Sequence, residues 1–345
     1  MRILIAPDKF KHSLGASEVA EAIAAGLRDV LPDAEITCRP VADGGEGTAH
    51  VICDAVGGEW HTCEVHDPLG RVVTARYCTI ENGATAVMEM SEASGLWRLA
   101  PNEYDAMHAS TFGAGEMLLE ATKRGVREII IGLGGSATND GGRGMAEALG
   151  FRFANDRIVT PDEVRLPHII AAVDVRNPLL GPRGATRTFA AQKGANAEQV
   201  EMLEEAMLGF AELVRRDLQV DACDLPGAGA AGGLGFGLVS FCGAELRSGF
   251  EIVAERIGLR RAVQKAEIVI TGEGRLDAQT LDGKAPAGVA QLACDEGKRV
   301  FAIVGATSGE AKVEALFERV LVVGAFEGAA TVIRQRAREL AESLT

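Results

Sequence analysis

Two glycine-dense stretches hold the residue types best suited to chemistry: Gly132-Leu133-Gly134-Gly135-Ser136-Ala137-Thr138-Asn139-Asp140-Gly141-Gly142 and Thr271-Gly272-Glu273-Gly274-Arg275-Leu276-Asp277. Each follows a β-branched run, Glu128-Ile129-Ile130-Ile131 or Glu267-Ile268-Val269-Ile270, and each precedes a helix-like segment. A strand that ends in glycines before a helix brings backbone N–H groups close to a bound anion, with no Cβ in the way. Ser136, Thr138, Asn139 and Asp140 add side chains that can hydrogen-bond phosphate or hold a metal. The chemistry implied is phosphate handling.

Acids recur at the ends of apolar runs: Asp8, Asp43, Asp174 and Asp277. In a parallel sheet such ends share one edge, where ligands bind. Phosphoryl transfer needs carboxylates there for Mg²⁺ and at most one weak base, with Lys or Arg for the charge in transit. Lys9, Lys193, Arg275 and Lys284 are the cations beside these turns.

Other chemistries match less well. Gly132-x-Gly134-x-x-Ala137 and Gly227-x-Gly229-x-x-Gly232 have dinucleotide spacing, but no acid ends a following strand at the expected distance, and Asp156 sits in a loop-like context. Around Gly283-Lys284, Ala278 and Ala285 replace the glycine and hydroxyl of a Walker loop. Ser136 lacks a G-x-S-x-G elbow and a paired His, which argues against a hydrolase triad. The six histidines show no metal spacing, and His12, near the first turn, reads as a solvated loop residue, with contact to substrate the alternative.

Positioning these groups falls to a regular βα rhythm at both ends of the chain. Residues 2–6 read as a buried strand, and Val19, Ala20, Ile23, Ala24 and Leu27 form the apolar stripe of a helix. Residues 35–39 complete a βαβ unit and so a parallel sheet. The tail repeats the pattern with strands at 267–270, 299–304 and 320–323 and helices at 285–295, 310–317 and the C-terminus. Between them, residues 61–66, 72–80 and 85–90 are separated by hairpin-type turns and predict antiparallel pairing. Helices are expected at 111–123, after Gly142 and at 196–218, and strands at 128–131 and 168–173. The fold class is therefore α/β, with a parallel-sheet domain built from residues 1–59 and 246–345 and a mixed α/β domain inserted at 60–245.

A chain of 345 residues predicts two domains, and 47% hydrophobic with 24% charged residues is ordinary for a globular protein. A net charge of −14 argues against nucleic acid, whose phosphates need basic surfaces, but permits a small anionic substrate. The 7 cysteines are scattered without a C-x-x-C pair, and the N-terminus meets charge too early for a secretory signal. With no apolar run of membrane-spanning length, the expected compartment is the cytoplasm.

The stretches Ala6-Pro7-Asp8-Lys9-Phe10-Lys11, Val41-Ala42-Asp43-Gly44-Gly45-Glu46-Gly47-Thr48, residues 134–142, Asn177-Pro178-Leu179-Leu180-Gly181-Pro182, Gln192-Lys193-Gly194-Ala195, residues 227–235 and residues 271–277 through Gly283-Lys284-Ala285-Pro286 closely resemble the class I glycerate kinase family, the bacterial glycerate 2-kinases. His12 stands where that family has glycine, and Ala306-Thr307-Ser308-Gly309 departs from its usual apolar-glycine ending. The resemblance implies a flavodoxin-like domain interrupted by a second α/β domain, ATP-dependent phosphorylation of D-glycerate to 2-phosphoglycerate, and Mg²⁺ dependence. The expected site is the cleft between the two domains, with the oligomeric state open. Asp277 is the expected base and Asp174 the second candidate. Lys9 and Arg275 are expected at the glycerate carboxylate, with Asp8 and Asp43 in the same subsite, and Asp43 with Asp174 at the metal. Gly134, Gly135, Ser136, Thr138 and Asn139, with Gly229 and Gly232, would cradle the nucleotide phosphates, while Lys193 and Lys284 bridge ATP oxygens. The competing readings are a nicotinamide-dependent hydroxy-acid dehydrogenase and a non-catalytic small-molecule-binding protein.

Overall fold

The computed structural model describes residues 1–11, 13–154, 156–162, 165–277, 280, 284–324 and 328–344. His12, Ala278 and Gly283, singled out above, lie outside the described residues. The chain divides into two compact units. The first comprises Met1–Asp43, His50–Val56 and Phe250–Thr345, and the second Gly44–Ala49 and Gly57–Gly249.

The first unit is built on a five-stranded sheet. Its strands run, in spatial order, Glu35–Cys38, Arg2–Ile5, Ile268–Thr271, Arg299–Val304 and Arg319–Val322. Every pairing is parallel, so in order of sequence the strands stand 2-1-3-4-5, a flavodoxin-like arrangement. Parallel strands need crossovers, which the helices Ala16–Arg28 and Ala285–Asp295 supply. The stripe read from the first of these is buried, and it meets Ile333, Ala337 and Leu340 of the helix Ala329–Glu342 in one core. Gly26 lets the two helices close, because a Cβ there would stand 2.2 Å from the Arg334 carbonyl.

The second unit holds a six-stranded sheet in the order Glu245–Ser248, His168–Val173, Glu128–Gly132, Thr85–Glu89, Val72–Ile80 and Glu59–His66. The antiparallel pairing expected for the last three is present. Thr85–Glu89 also pairs in parallel with Glu128–Gly132, which makes the sheet mixed. Its parallel half is completed by Glu245–Ser248, a strand the sequence reading did not assign.

Three further differences have local causes. The helix expected at 310–317 is a single turn, Ala311–Glu314. Beyond a left-handed kink at Ala231, Gly232 and Gly233, the segment up to Cys242 is helical, although its glycines disfavour helix in isolation. It is buried nearly all round and so shows no amphipathic period. The region 249–265, not resolved into elements by the sequence, forms helices Gly249–Arg256 and Leu259–Lys265. Among the described residues no helix is long and apolar enough to cross a membrane, and the cysteines form no disulfide.

Candidate active site

In the first unit, ladder bonds continue past the strand ends and hold three loops together. The Ala6 N–H donates to the Ile270 carbonyl at 2.7 Å, Asp8 N–H to Gly272 at 2.8 Å and Val41 N–H to Pro7 at 2.9 Å. The Thr271 hydroxyl donates to the Ala6 carbonyl at 2.7 Å. This zipper gathers the acids beyond the carboxyl edge of the sheet. Asp8 and Asp43 are buried, at 6% and 7% exposure. Burial, reinforced by the Asp43 charge, pushes the Asp8 carboxyl up to about 7, while the Lys9 and Lys11 charges pull it back. The Lys9 N–H donates to Asp8 Oδ1 at 2.6 Å.

Glu273 belongs to the same group, and the sequence reading did not name it as a site residue. It is buried, and burial pushes its carboxyl up to about 7, with Asp8 and Asp277 adding to the rise and Thr280 and Lys284 opposing it. The Thr280 hydroxyl donates to Glu273 Oε1 at 2.7 Å. Lys284 Nζ lies 3.5 Å from Asp277 Oδ1 and 3.9 Å from Glu273 Oε2, and Arg275 Nε lies 3.7 Å from Asp277 Oδ2. Lys284 is also the N-cap residue of the helix Ala285–Asp295, where backbone N–H groups point outward. The first unit thus brings together Asp8, Lys9, Asp43, Glu273, Arg275, Asp277 and Lys284. An acid between two glycines at a strand end was the signal available for Glu273.

The expectation that four acids share one sheet edge needs correction. Asp8, Asp43 and Asp277 follow the parallel sheet of the first unit. Asp174 follows His168–Val173 in the other sheet, where Val173 is in register with Ser248. The two sheets are separate, so the common edge inferred from the βα rhythm does not extend to Asp174.

In the second unit, the loop 133–142 leaves the carboxyl end of Glu128–Gly132. Glu89, in register with Gly132, turns its buried carboxylate to a neighbouring glycine turn and accepts from Gly47 N–H at 3.0 Å and Ala49 N–H at 2.9 Å. Gly134 packs on that turn, since a Cβ there would stand 2.5 Å from Gly45 Cα. Glu89 was the other acid missed from sequence, where it closes an apolar run.

Within the loop, the N–H groups of Gly134, Gly135, Ser136, Thr138 and Asn139 donate to no acceptor among the described residues. Backbone donors left without partners are rare, and several in one glycine loop form an anion-binding concavity. Asn139 Oδ1 is likewise buried without a partner, its Nδ2 donating to Thr186 Oγ1 at 3.1 Å. Lys193 is buried at 2% exposure and donates from Nζ to Ser136 Oγ at 2.8 Å and to the Thr138 carbonyl at 2.7 Å. Burial pushes its ammonium down to about 7, with Asp140 pulling the other way.

Asp140 holds the loop together. Its carboxylate accepts from the Thr111 N–H and hydroxyl, both at 2.8 Å, and from Gly142 and Gly144 N–H, both at 3.1 Å. The 227–235 segment packs directly on the loop. Ala231, Gly232 and Gly233 run consecutively left-handed, with φ of 53°, 65° and 89°. Gly141 N–H donates to the Gly232 carbonyl at 3.0 Å. Gly229 opens this turn with its Cβ position 2.2 Å from the Pro178 carbonyl. Ser136, Thr138, Asn139, Lys193, Gly229 and Gly232 therefore lie within the second unit, on the loop that carries these N–H groups and on the segments that support it. Among the described residues no group of three or more His, Cys, Asp or Glu side chains is spaced to hold a metal ion.

The chain matches the family model described as the glycerate kinase family over residues 3–164 and 158–344. It is 40% identical to the glycerate 2-kinase of Escherichia coli strain K12, covering 100% of this chain and 98% of that protein. It is 43% identical to the glycerate kinase of Haemophilus influenzae, covering 88% and 86%. A crystal structure assigned as glycerate kinase 2 from Salmonella typhimurium LT2 superposes with a TM-score of 0.87 at 41% identity, covering 100% of this chain and 98% of that one.

Proposed function

The chain belongs to the glycerate kinase family, and from that premise we propose that it transfers the γ-phosphoryl group of ATP to the 2-hydroxyl of D-glycerate, giving ADP and 2-phosphoglycerate. The observation that carries the reading is the set of backbone N–H groups at Gly134, Gly135, Ser136, Thr138 and Asn139 that donate to no acceptor among the described residues, backed by Lys193. A triphosphate supplies the acceptors such a loop lacks.

The residues divide by chemistry. The loop N–H groups, with Ser136, Thr138 and the turn at Gly229 and Gly232, bind the phosphates. Lys193 and Lys284 bridge ATP oxygens. Lys9 and Arg275 take the carboxylate of glycerate, with Asp8 and Asp43 lining the same subsite. Asp277 accepts the hydroxyl proton as oxygen attacks phosphorus, a step that asks little of a base and much of alignment. Asp174 is the alternative base.

Mg²⁺ suits the donor chemistry. Asp43 raises the affinity of buried Asp8 for a proton, as neighbouring carboxylates short of positive charge do. Mg²⁺ is bound through one or two carboxylates together with substrate phosphates, so a larger protein cage is not required. Asp43 and Asp174 are the proposed ligands. When bound, the ion neutralises charge on the β- and γ-phosphate oxygens.

The test is ADP release with D-glycerate, with other hydroxy acids and with no acceptor, the phosphate position being read by ³¹P NMR. Glycerate-dependent ADP release with 2-phosphoglycerate is expected. A 3-phosphate product would reject the regiochemistry, and oxidation of the hydroxy acid with NAD in place of ADP release would reject the kinase reading. Asp277→Asn should lower kcat by about 10²–10⁴-fold while ATP still binds. A near-normal kcat would transfer the base role to Asp174.

A further inference from the structure

Ser136 and Lys193 form a pair that phosphate binding alone does not require. The amine nitrogen lies 2.8 Å from Ser136 Oγ in a site that leaves Lys193 2% exposed, and Ser136 retains 9% exposure beside the exposed Gly135. The lysine closes a single 3-10 turn, Ala191–Lys193. The following Gly194, at φ +98°, packs so closely that a Cβ would stand 2.3 Å from the Tyr104 carbonyl. The amine is thus held against the hydroxyl from a rigid support. Its neutral form matches the acceptors present. Two N–H groups donate, to the Thr138 carbonyl at 2.7 Å and to Ser136 Oγ at 2.8 Å, and rotation about the Cε–Nζ bond turns the lone pair of the neutral amine to the Ser136 O–H. Around this hydroxyl stand the unpaired N–H groups of Gly134, Gly135 and Ser136 itself, the donors a developing oxyanion requires.

We propose that Ser136 is a nucleophile with Lys193 as its base, and that it takes the γ-phosphoryl group of ATP onto its own Oγ. The inference rests on the kinase reading for its phosphoryl donor. The Ser136 hydroxyl proton passes to Lys193 Nζ and Oγ bonds to the γ-phosphorus. The bond from that phosphorus to the β–γ bridging oxygen breaks, and ADP leaves with the electron pair. A serine hydroxyl needs such an adjacent base to react at neutral pH. Asp140 is the charged group that acts on Lys193 among the described residues, and it works against burial, which favours the neutral amine.

The full-length chain is incubated with [γ-³²P]ATP without glycerate, quenched and mapped by mass spectrometry. A second sample is treated with diisopropyl fluorophosphate, where the P–F bond breaks in place of the phosphoanhydride. Phosphate and the diisopropylphosphoryl adduct are both expected on Ser136. Labelling should rise as pH climbs through about 7, vanish in Ser136→Ala and slow at least 100-fold in Lys193→Met. Circular dichroism verifies that both variants are folded. ADP release with D-glycerate but no label of either kind on Ser136 overturns the proposal and leaves the kinase reading standing. Label on Ser136 without glycerate-dependent ADP release supports the proposal and rejects the kinase reading. A Lys193→Met variant that labels at the parent rate overturns the role of the base.

Discussion

Asp8→Asn is expected to make the protein more stable and to remove its kinase activity. The Asp8 carboxyl is buried, and its folded-state pKa of about 7 stands well above the ordinary 3.8. A group raised on folding binds its proton more tightly in the native state, so its contribution to stability is full below pH 3.8 and is lost as pH rises through 7. At pH 8 the native protein holds a desolvated charge beside Asp43. Asparagine removes that charge but keeps an oxygen for the Lys9 N–H, which donates to Oδ1 at 2.6 Å. The gain at pH 8 should be on the order of 2–4 kcal/mol, since one pKa unit is about 1.4 kcal/mol. Near pH 4 it should shrink toward zero. Urea midpoints of parent and variant at pH 4, 6 and 8 check this, and a pH-independent difference would show that Asp8 is not held at raised pKa. The paired measurement is glycerate-dependent ADP release, expected to fall at least 100-fold. Stability gained where activity is lost marks a residue kept for its site and not for its fold.

The legible and illegible parts of this protein divide by range of interaction. The parallel sheet of the first unit was readable because each strand, turn and helix carries a local signature, and βα alternation leaves few ways to connect them. The loop 132–142 was readable because glycine after a β-branched run has a local meaning. Glu273 and Glu89 were not, because their roles depend on partners far along the chain. Glu89 holds the N–H groups of Gly47 and Ala49, and Glu273 feels Asp8. The same limit applies to the parallel pairing of Thr85–Glu89 with Glu128–Gly132, which inverts the trend set by two preceding hairpins. Lys193 was legible as a cation near a turn. That its amine is buried against Ser136 Oγ follows from the packing of the 191–194 turn under Tyr104, which no spacing encodes.

Gly232→Ala and Ala231→Gly, one residue apart, should shift stability in opposite directions. Both positions are left-handed, at φ 65° and 53°. At Gly232 a Cβ would stand 1.9 Å from the Thr138 carbonyl oxygen and 2.7 Å from Asn139 Cα. Both neighbours are backbone, so relief requires one loop to withdraw from the other. Withdrawal would break the bond from Gly141 N–H to the Gly232 carbonyl and draw Thr138 from Lys193 Nζ. Overpacking of this kind, added to an unfavourable φ, should destabilise by about 3 kcal/mol or more. ATP affinity should fall with it, because the displaced segment carries the unpaired N–H donors. At Ala231 the strain already exists, since a non-glycine residue in this region costs roughly 1–2 kcal/mol. Glycine there relieves it, offset by the greater freedom glycine restores to the unfolded chain, about 0.4–1 kcal/mol. A small net gain, under about 1 kcal/mol, is expected with ATP affinity retained. Urea midpoints together with nucleotide titrations of both variants decide the matter. Equal and small effects at the two positions would mean that the turn does not bear on the loop, and the assignment of 227–235 to the phosphate site would fall with that contact.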